Sequence, residues 1–422
     1  MDATDLVDVA VIGAGVAGLT CARALEESGL TVRVLERSAR VGGRVGTDVI
    51  DGFRCDRGLM WIDTQDPDLR ESLDVPALNP RPIERGMVLA HPEGYRVLQR
   101  SQASVIATIR SGLGQPQDIA RLVRWTDPLR KPRERLLAGP DMTLEDSLQR
   151  HGISGRIREE VLRPFFRLVL GDEDLRTSYQ FAMLTMQGLV TGTPSLPALG
   201  MQALPSQLSL GLERPVEHGV DVLGLRRSIG EGVRLFTDGG EVGARAAVVA
   251  TDPVTASTLL GIGSPTMRGL ATWWFATTVA PTTMKMPFVN PLGPATGPLS
   301  HALVVSNVAP RYAPAGNHLV AATSVSLPGE PAGTETEAEV RAHLGQLFRT
   351  DTSSWRLVTR HAASAAYPTA RPPLLLGRDV DLGDGLFVAG DHRATPGIPG
   401  AMRSGRRAAA AVLAELGEPA DH

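Results

Sequence analysis

Asp8 to Thr47 reads DVAVIGAGVAGLTCARALEESGLTVRVLERSARVGGRVGT, and this stretch decides the fold. Val9 to Ile12 is a continuous apolar run, the pattern of a strand buried on both faces of a parallel sheet. Gly13, Gly15 and Gly18 follow in G-x-G-x-x-G spacing. The first glycine permits a tight turn, the second lets backbone approach a pyrophosphate, and the third lets the next helix pack closely. That helix is expected from Val16 to Ser28, with Gly29 closing it. Its first N–H groups form an anion site. A second strand, Thr31 to Leu35, ends at Glu36. An acid about twenty residues past the glycines is placed to hold a ribose 2′-hydroxyl, and it disfavours a 2′-phosphate and hence NADP.

The pattern continues as Arg40-x-Gly42-Gly43-Arg44, followed by Thr47. This extension resembles the flavoprotein family that contains the monoamine and polyamine oxidases, phytoene-type desaturases and protoporphyrinogen oxidases. The resemblance implies an α/β fold: a discontinuous, Rossmann-type FAD-binding domain with an inserted α+β substrate-binding domain, amine-oxidase-like. It places Gly42, Gly43 and Arg44 along the FAD pyrophosphate, and Ala17 and Arg37 at the cofactor. Two glycines clear space there, and a guanidinium offers phosphate a forked partner. Asp56-Arg57-Gly58, leading to Trp61, is similar to a short segment beside the flavin in that family.

The far end of the chain repeats the signal. Gly385 to Leu413 reads GLFVAGDHRATPGIPGAMRSGRRAAAAVL. A short buried strand ends at Gly390-Asp391, and a helix starts near Gly400. This resembles the family's C-terminal FAD motif. There the aspartate lies by the ribityl or pyrophosphate, and the helix start, here Gly400, Ala401 and Met402, points N–H groups at the flavin N1–C2=O2 edge. A helix N-terminus stabilises the negative charge of a reduced flavin. A central strand, Val220 to Gly224 and onward, is expected to meet the adenine near Arg226.

At 422 residues there is length for two domains. The resemblance divides them as 1–64, 200–262 and 350–422 for FAD, and 65–199 and 263–349 for substrate. The net charge of −3 points to neither nucleic acid nor an anionic surface. No apolar run reaches the roughly 18 residues of a membrane span, and MDATDLVD lacks a basic leader region. A cytoplasmic location is expected. The cysteines, Cys21 and Cys55, form no C-x-x-C, which excludes a disulfide reductase and any metal-ligand spacing. Neither lies just before the C-terminal motif, where covalent attachment occurs in amine oxidases, so the FAD is expected to be non-covalent. Lysine occurs only at Lys131 and Lys285 amid abundant arginine, a sign of a GC-rich genome.

Between the landmarks, the sequence predicts a hairpin at Val88–Val97, helices at Ile119–Trp125 and Leu144–Arg150, a helix at 157–170 broken by Pro164, and an apolar helix at Tyr179–Val190 crossing a core. Trp273, Trp274, Phe275, Met284, Met286 and Phe288 concentrate bulk in a chain with 4% aromatics. They read as sheet core, as a substrate-pocket wall, or as both on alternate faces.

No second G-x-G-x-x-G unit exists for NAD(P)H, so the substrate itself must reduce the flavin. The expected function is oxidation of a small, largely apolar metabolite by hydride transfer to flavin N5, as desaturation or amine oxidation, in bacterial specialised metabolism. O2 or another acceptor closes the cycle. Candidate catalytic residues are Lys285, as the lysine that holds a water near N5 in amine oxidases, His392 beside Asp391 for proton handling, and Trp61 at the pocket. Scarce tyrosine, with only Tyr367 late enough for an aromatic pair at the flavin, shifts weight from amine oxidation to desaturation. Two alternatives stand beside this: a flavoprotein catalysing a net non-redox isomerisation or cyclisation, and an FAD-free escort protein of the Rab escort type. The substrate and the oligomeric state are not legible.

Overall fold

The computed structural model describes residues 7–99, 112, 114–228 and 232–417. The opening stretch folds as read: strand β1 (Val7–Ile12), helix α1 (Val16–Glu26) and strand β2 (Val32–Glu36). β1 lies between β2 and the ten-residue strand Gly240–Val249, parallel to both. That long strand has two jobs along its other edge. Its first half forms an antiparallel hairpin with Gly232–Thr237, and its last residues pair in parallel with Leu386–Val388. The near-continuous apolar run Ala246 to Val249 suits a strand covered on both faces.

The C-terminal helix, Ile398–Leu416, crosses α1. Gly405 makes the crossing close: a Cβ there would sit 2.3 Å from the Ala17 carbonyl oxygen. Gly18 does the same for α1 on β1, since its Cβ would meet the Gly13 carbonyl oxygen at 2.1 Å. Val9, Val11, Leu19, Cys21, Leu25, Phe387, Met402 and Val412 fill the core between these elements.

The chain leaves this unit at Ile62–Asp63 and returns at Pro194–Leu196, and the two segments pair antiparallel. The second sheet runs in the order Arg356–Pro368, Met267–Thr277, His318–Ser326, His301–Val304, Phe288–Val289, Met87–His91, Gly94–Leu98. The strand Arg356–Pro368 thus extends the second sheet, although the sequence reading assigns 350 onward to the first unit. The helix Pro67–Ser72 also departs from that division. It packs on the first unit's core through Leu69, and its Asp68 bridges Arg403 and Arg406 of the C-terminal helix.

On one face of the second sheet, Trp273, Phe275, Met286 and Phe288 pack against Glu337–Phe348. That helix starts with a capping box: Thr336 N–H donates to Glu339 Oε2 at 2.8 Å, and Glu339 N–H donates to Thr336 Oγ1 at 3.3 Å. On the other face Trp274 packs with Phe53 and Tyr312. The bulky cluster is therefore sheet core; among its members only Lys285's neighbour Met284 is not fully buried. A helical layer around Trp125, Leu148, Phe166 and Met183 completes the second region. Helices occur at Pro116–Trp125 and Leu144–Arg150, with Thr143 accepting from Asp146 N–H as an N-cap. Pro164 does not break its helix. It sits in the first turn of Arg163–Leu170, where no N–H is needed, after a wide π-type turn at Arg158–Leu162. No helix of the described residues is long and apolar enough to cross a membrane.

Candidate active site

One cavity of about 1350 Å3 runs from the β1–α1 turn to the second sheet. A single small-molecule pocket is roughly 300–1,000 Å3, so this one has room for a cofactor and a second molecule. Its first half is built from the glycine turns. Gly13 has φ +101, and a Cβ there would press on the Ala250 carbonyl oxygen at 3.0 Å. Gly15 caps α1 and forms a bridge with Gly42. Gly42 and Gly43 also have positive φ, at +112 and +56, in the left-handed region where glycine is free of strain.

Glu36 reaches this cradle from the end of β2. Its carboxylate accepts from Ala14 N–H at 2.8 Å and Ser38 N–H at 2.8 Å, and also from the Ser38 hydroxyl. Arg44 faces it across the cavity in a forked pair with Asp391, with Nη2–Oδ1 at 2.6 Å and Nη1–Oδ2 at 3.3 Å. Nη1 of Arg44 also donates to the Ala366 carbonyl at 2.8 Å. Asp391 accepts in addition from Gly397 N–H at 3.3 Å, at the start of the C-terminal helix. The helix N-terminus therefore opens toward the cavity beside a buried carboxylate.

The sequence-derived residues separate clearly. Gly13, Gly15, Ala17, Glu36, Arg37, Gly42, Gly43, Arg44, Gly390, Asp391, Ala401 and Trp61 line the cavity. Gly18 and Gly400 lie behind it as close-packing positions; a Cβ on Gly400 would meet the Thr395 carbonyl oxygen at 1.7 Å. Met402 is buried in the core. Arg226 is away from the cavity, its guanidinium over the Phe236 ring at 5.9 Å. Val220, Asp221 and Val222 line the cavity in its place.

Two candidate catalytic residues stand outside the cavity wall. Lys285 is exposed, and its carbonyl accepts from Glu84 N–H at 3.1 Å. His392 is buried behind the Gly390-Asp391 turn with neither ring nitrogen bonded. Burial pushes it down to about 4, so its imidazole is neutral.

The second half of the cavity holds residues the motifs do not mark. Leu59, Met60, Trp61, Phe181, Leu184 and Leu270 provide an apolar wall. The helix Tyr179–Thr191 supplies part of it, and only Gln180, Ala182 and Met183 of that helix are buried. It packs into the helical-layer core through Ala182 and Met183 and flanks the cavity with its other side. Its Phe181–Leu184–Gly188 spacing was the available signal. His361 also faces the cavity, held by Asp48 Oδ2 at 2.8 Å and the Asp56 carbonyl at 3.1 Å. Nothing local marks it. Behind this wall, Asp56 is fully buried and accepts from Thr47 Oγ1 at 2.5 Å, Met201 N–H at 3.0 Å and Tyr312 Oη at 2.8 Å. Burial pushes its carboxyl up to about 6.

The cradle fits a dinucleotide. A Cβ at Gly397 would meet nothing within 4 Å, and one at Gly15 would meet only the Ala250 carbonyl oxygen at 4.0 Å. Side chains there would occupy the cavity, so the open backbone at Gly15 lets phosphate approach the start of α1, while Gly397 N–H is held by Asp391. No cluster of His, Cys, Asp or Glu among the described residues could hold a metal ion.

Fold and cradle together define a dinucleotide-binding flavoprotein. The chain belongs to the family of flavin-containing amine oxidoreductases, whose pattern it matches over residues 16–413. FAD is the cofactor of this family. The chain is 41% identical over 91 residues to a putrescine oxidase of Kocuria rosea, covering 21% of this chain and 19% of the relative. It is 43% identical over 54 residues to a carotenoid 3,4-desaturase of Haloarcula japonica, covering 13% and 11%. These matches thus span less than a fifth of the relatives' length. A crystal structure of a putative protoporphyrinogen oxidase from an Exiguobacterium species superposes with a TM-score of 0.74 at 17% identity, covering 98% of this chain and 100% of that one.

Proposed function

We propose that this protein is an FAD-dependent oxidoreductase acting on a small, largely apolar metabolite, by desaturation or C–N oxidation. The observation that carries this is the single cavity shared by the dinucleotide cradle and the apolar wall of Trp61, Phe181, Leu184 and Leu270. A bulky apolar wall suits a carbon skeleton, whereas a polyamine would need carboxylates along its length. The bound flavin supplies a hydride acceptor at N5. The chain's part is to bind and orient. The glycine turns and the start of α1 would receive the pyrophosphate, and Glu36 the adenosine ribose. The Arg44–Asp391 fork would hold the middle of the cofactor. Trp61 would position the substrate, while the second-sheet wall excludes water.

An external acceptor such as O2 would complete the turnover. A cytoplasmic place in bacterial specialised metabolism belongs to the same proposal. Anaerobic mixing with a true substrate should bleach the flavin absorbance in one turnover, and air should restore it. Product formed with the flavin still oxidised and no acceptor consumed would favour the non-redox isomerase reading instead.

A further inference from the structure

The second-sheet wall of the cavity carries a donor that the described protein does not use. Arg268 and Tyr367 stand opposite each other on the antiparallel strands Met267–Thr277 and Arg356–Pro368, so their side chains share a face. Both converge on Gly171, which closes the helix Arg163–Leu170 with φ +59. Arg268 donates from Nη1 to the Gly171 carbonyl at 2.9 Å and from Nη2 to Asp172 at 2.6 Å. The Tyr367 hydroxyl lies directly over Gly171; a Cβ there would come within 1.4 Å of it. Only glycine leaves that hydroxyl its place. Tyr367 lines the cavity, and among the described residues its hydroxyl has no hydrogen-bond partner. Burial holds the phenol above its ordinary range, which keeps it a donor.

The cavity is lined by Arg133, Arg167 and Arg268 and by the carboxylates Asp63 and Asp66; of the arginines, Arg167 is paired with Glu173 and Arg268 with Asp172. Each acid holds two backbone N–H groups through its Oδ1. Asp63 accepts from Gln65 and Thr193, and Asp66 from Asp68 and Leu69. At the Tyr367 hydroxyl itself the neighbouring carboxylate is Asp172, already paired with Arg268, so a substrate ammonium placed there would lose its water without gaining a free carboxylate. A substrate carboxylate would find a phenol donor with a guanidinium behind it, and a charged acceptor strengthens such a bond.

We propose that the substrate is an apolar molecule ending in a carboxylate, which the Tyr367 hydroxyl, backed by Arg268, receives. This rests on the oxidoreductase reading above and narrows its substrate class. Titration calorimetry on the FAD-loaded protein, with octanoate, 1-octanol and octylamine as probes of equal chain length, tests it without turnover. Octanoate should bind at least about tenfold more tightly than either other probe, and Tyr367→Phe should remove about a tenfold advantage, within the strength of a hydrogen bond to a charged group. Arg268→Gln should act in the same direction; should it fail to fold for want of its pair with Asp172, Tyr367→Phe alone decides.

Equal binding of the three probes, or tightest binding of octylamine, would overturn the proposal. So would a Tyr367→Phe protein that loses FAD while keeping its octanoate affinity, because the hydroxyl would then serve the cofactor. Binding and flavin reduction are read separately. A carboxylate that binds without any substrate bleaching the flavin would sink the oxidase reading and leave this one standing.

Discussion

Arg44 and Asp391, 347 residues apart in sequence, close the cofactor cavity with a forked ion pair. Asp391 is nearly fully buried, whereas the Arg44 side chain remains 34% exposed toward the cavity. The pair therefore has one partner fixed in the protein and one still able to meet a ligand.

Asp391→Ala leaves Arg44 without its carboxylate and Gly397 N–H without its acceptor. The expected cost is about 1.5–3 kcal/mol, near the lower end because Arg44 is partly solvated. The purified variant should carry less FAD per chain than the parent, as should Arg44→Ala through lost phosphate contacts. Full flavin content in both, with activity alone lost, would assign the fork to the substrate.

Asp56 predicts a pH dependence of stability. Its carboxyl is raised from 3.8 to about 6 by burial, so between those values the folded protein binds a proton the unfolded chain does not. The stabilisation is complete below about 4 and disappears as pH rises through about 6; the shift corresponds to about 3 kcal/mol at most. Asp56→Asn keeps an acceptor for Thr47 and Met201 but cannot ionise. Urea melts at a series of pH values should show the parent losing stability relative to Asp56→Asn from pH 4 to 7. Parallel curves would remove Asp56 as the source.

The flavin should be released by acid. Cys21 and Cys55 are both buried and lie off the cavity wall, and burial pushes each thiol up to about 12, so neither offers a thiolate for attachment. After acid precipitation the yellow colour should stay in the supernatant. Colour in the pellet that survives washing with denaturant would contradict this.

Gly405→Ala should loosen the crossing of α1 and the C-terminal helix, because the new methyl meets backbone and not a movable side chain. Overpacking of this kind costs typically about 1–3 kcal/mol. A lowered melting temperature with reduced FAD content is expected, since both helix starts face the cavity. An unchanged melting temperature would show that the helices can separate freely.

The cradle was legible in the sequence because its parts are local. Gly13, Gly15 and Glu36 belong to one strand–turn–helix–strand unit, and Gly390-Asp391 to a second short motif, so spacing alone places them. The substrate wall has no such grammar. Tyr367 and Arg268 become neighbours only when their strands pair, and Gly171 joins them from a helix end. The helix Tyr179–Thr191 shows the other difficulty: an apolar face looks the same in sequence whether it meets protein or a cavity. Bulk misleads likewise, since Trp273 and Trp274 support the sheet and only Trp61 reaches the site. Lys285 was singled out by rarity, which carries no information about position.

The order of strands in the first sheet also sets a timetable for biosynthesis. β1 leaves the ribosome more than 200 residues before its neighbour Gly240–Val249, and the aspartate that completes the cradle follows later still. A nascent chain thus holds glycine turns with no cavity around them. Flavin capture has to wait for Asp391, and a bound flavin certifies that both distant halves of the cradle have been made.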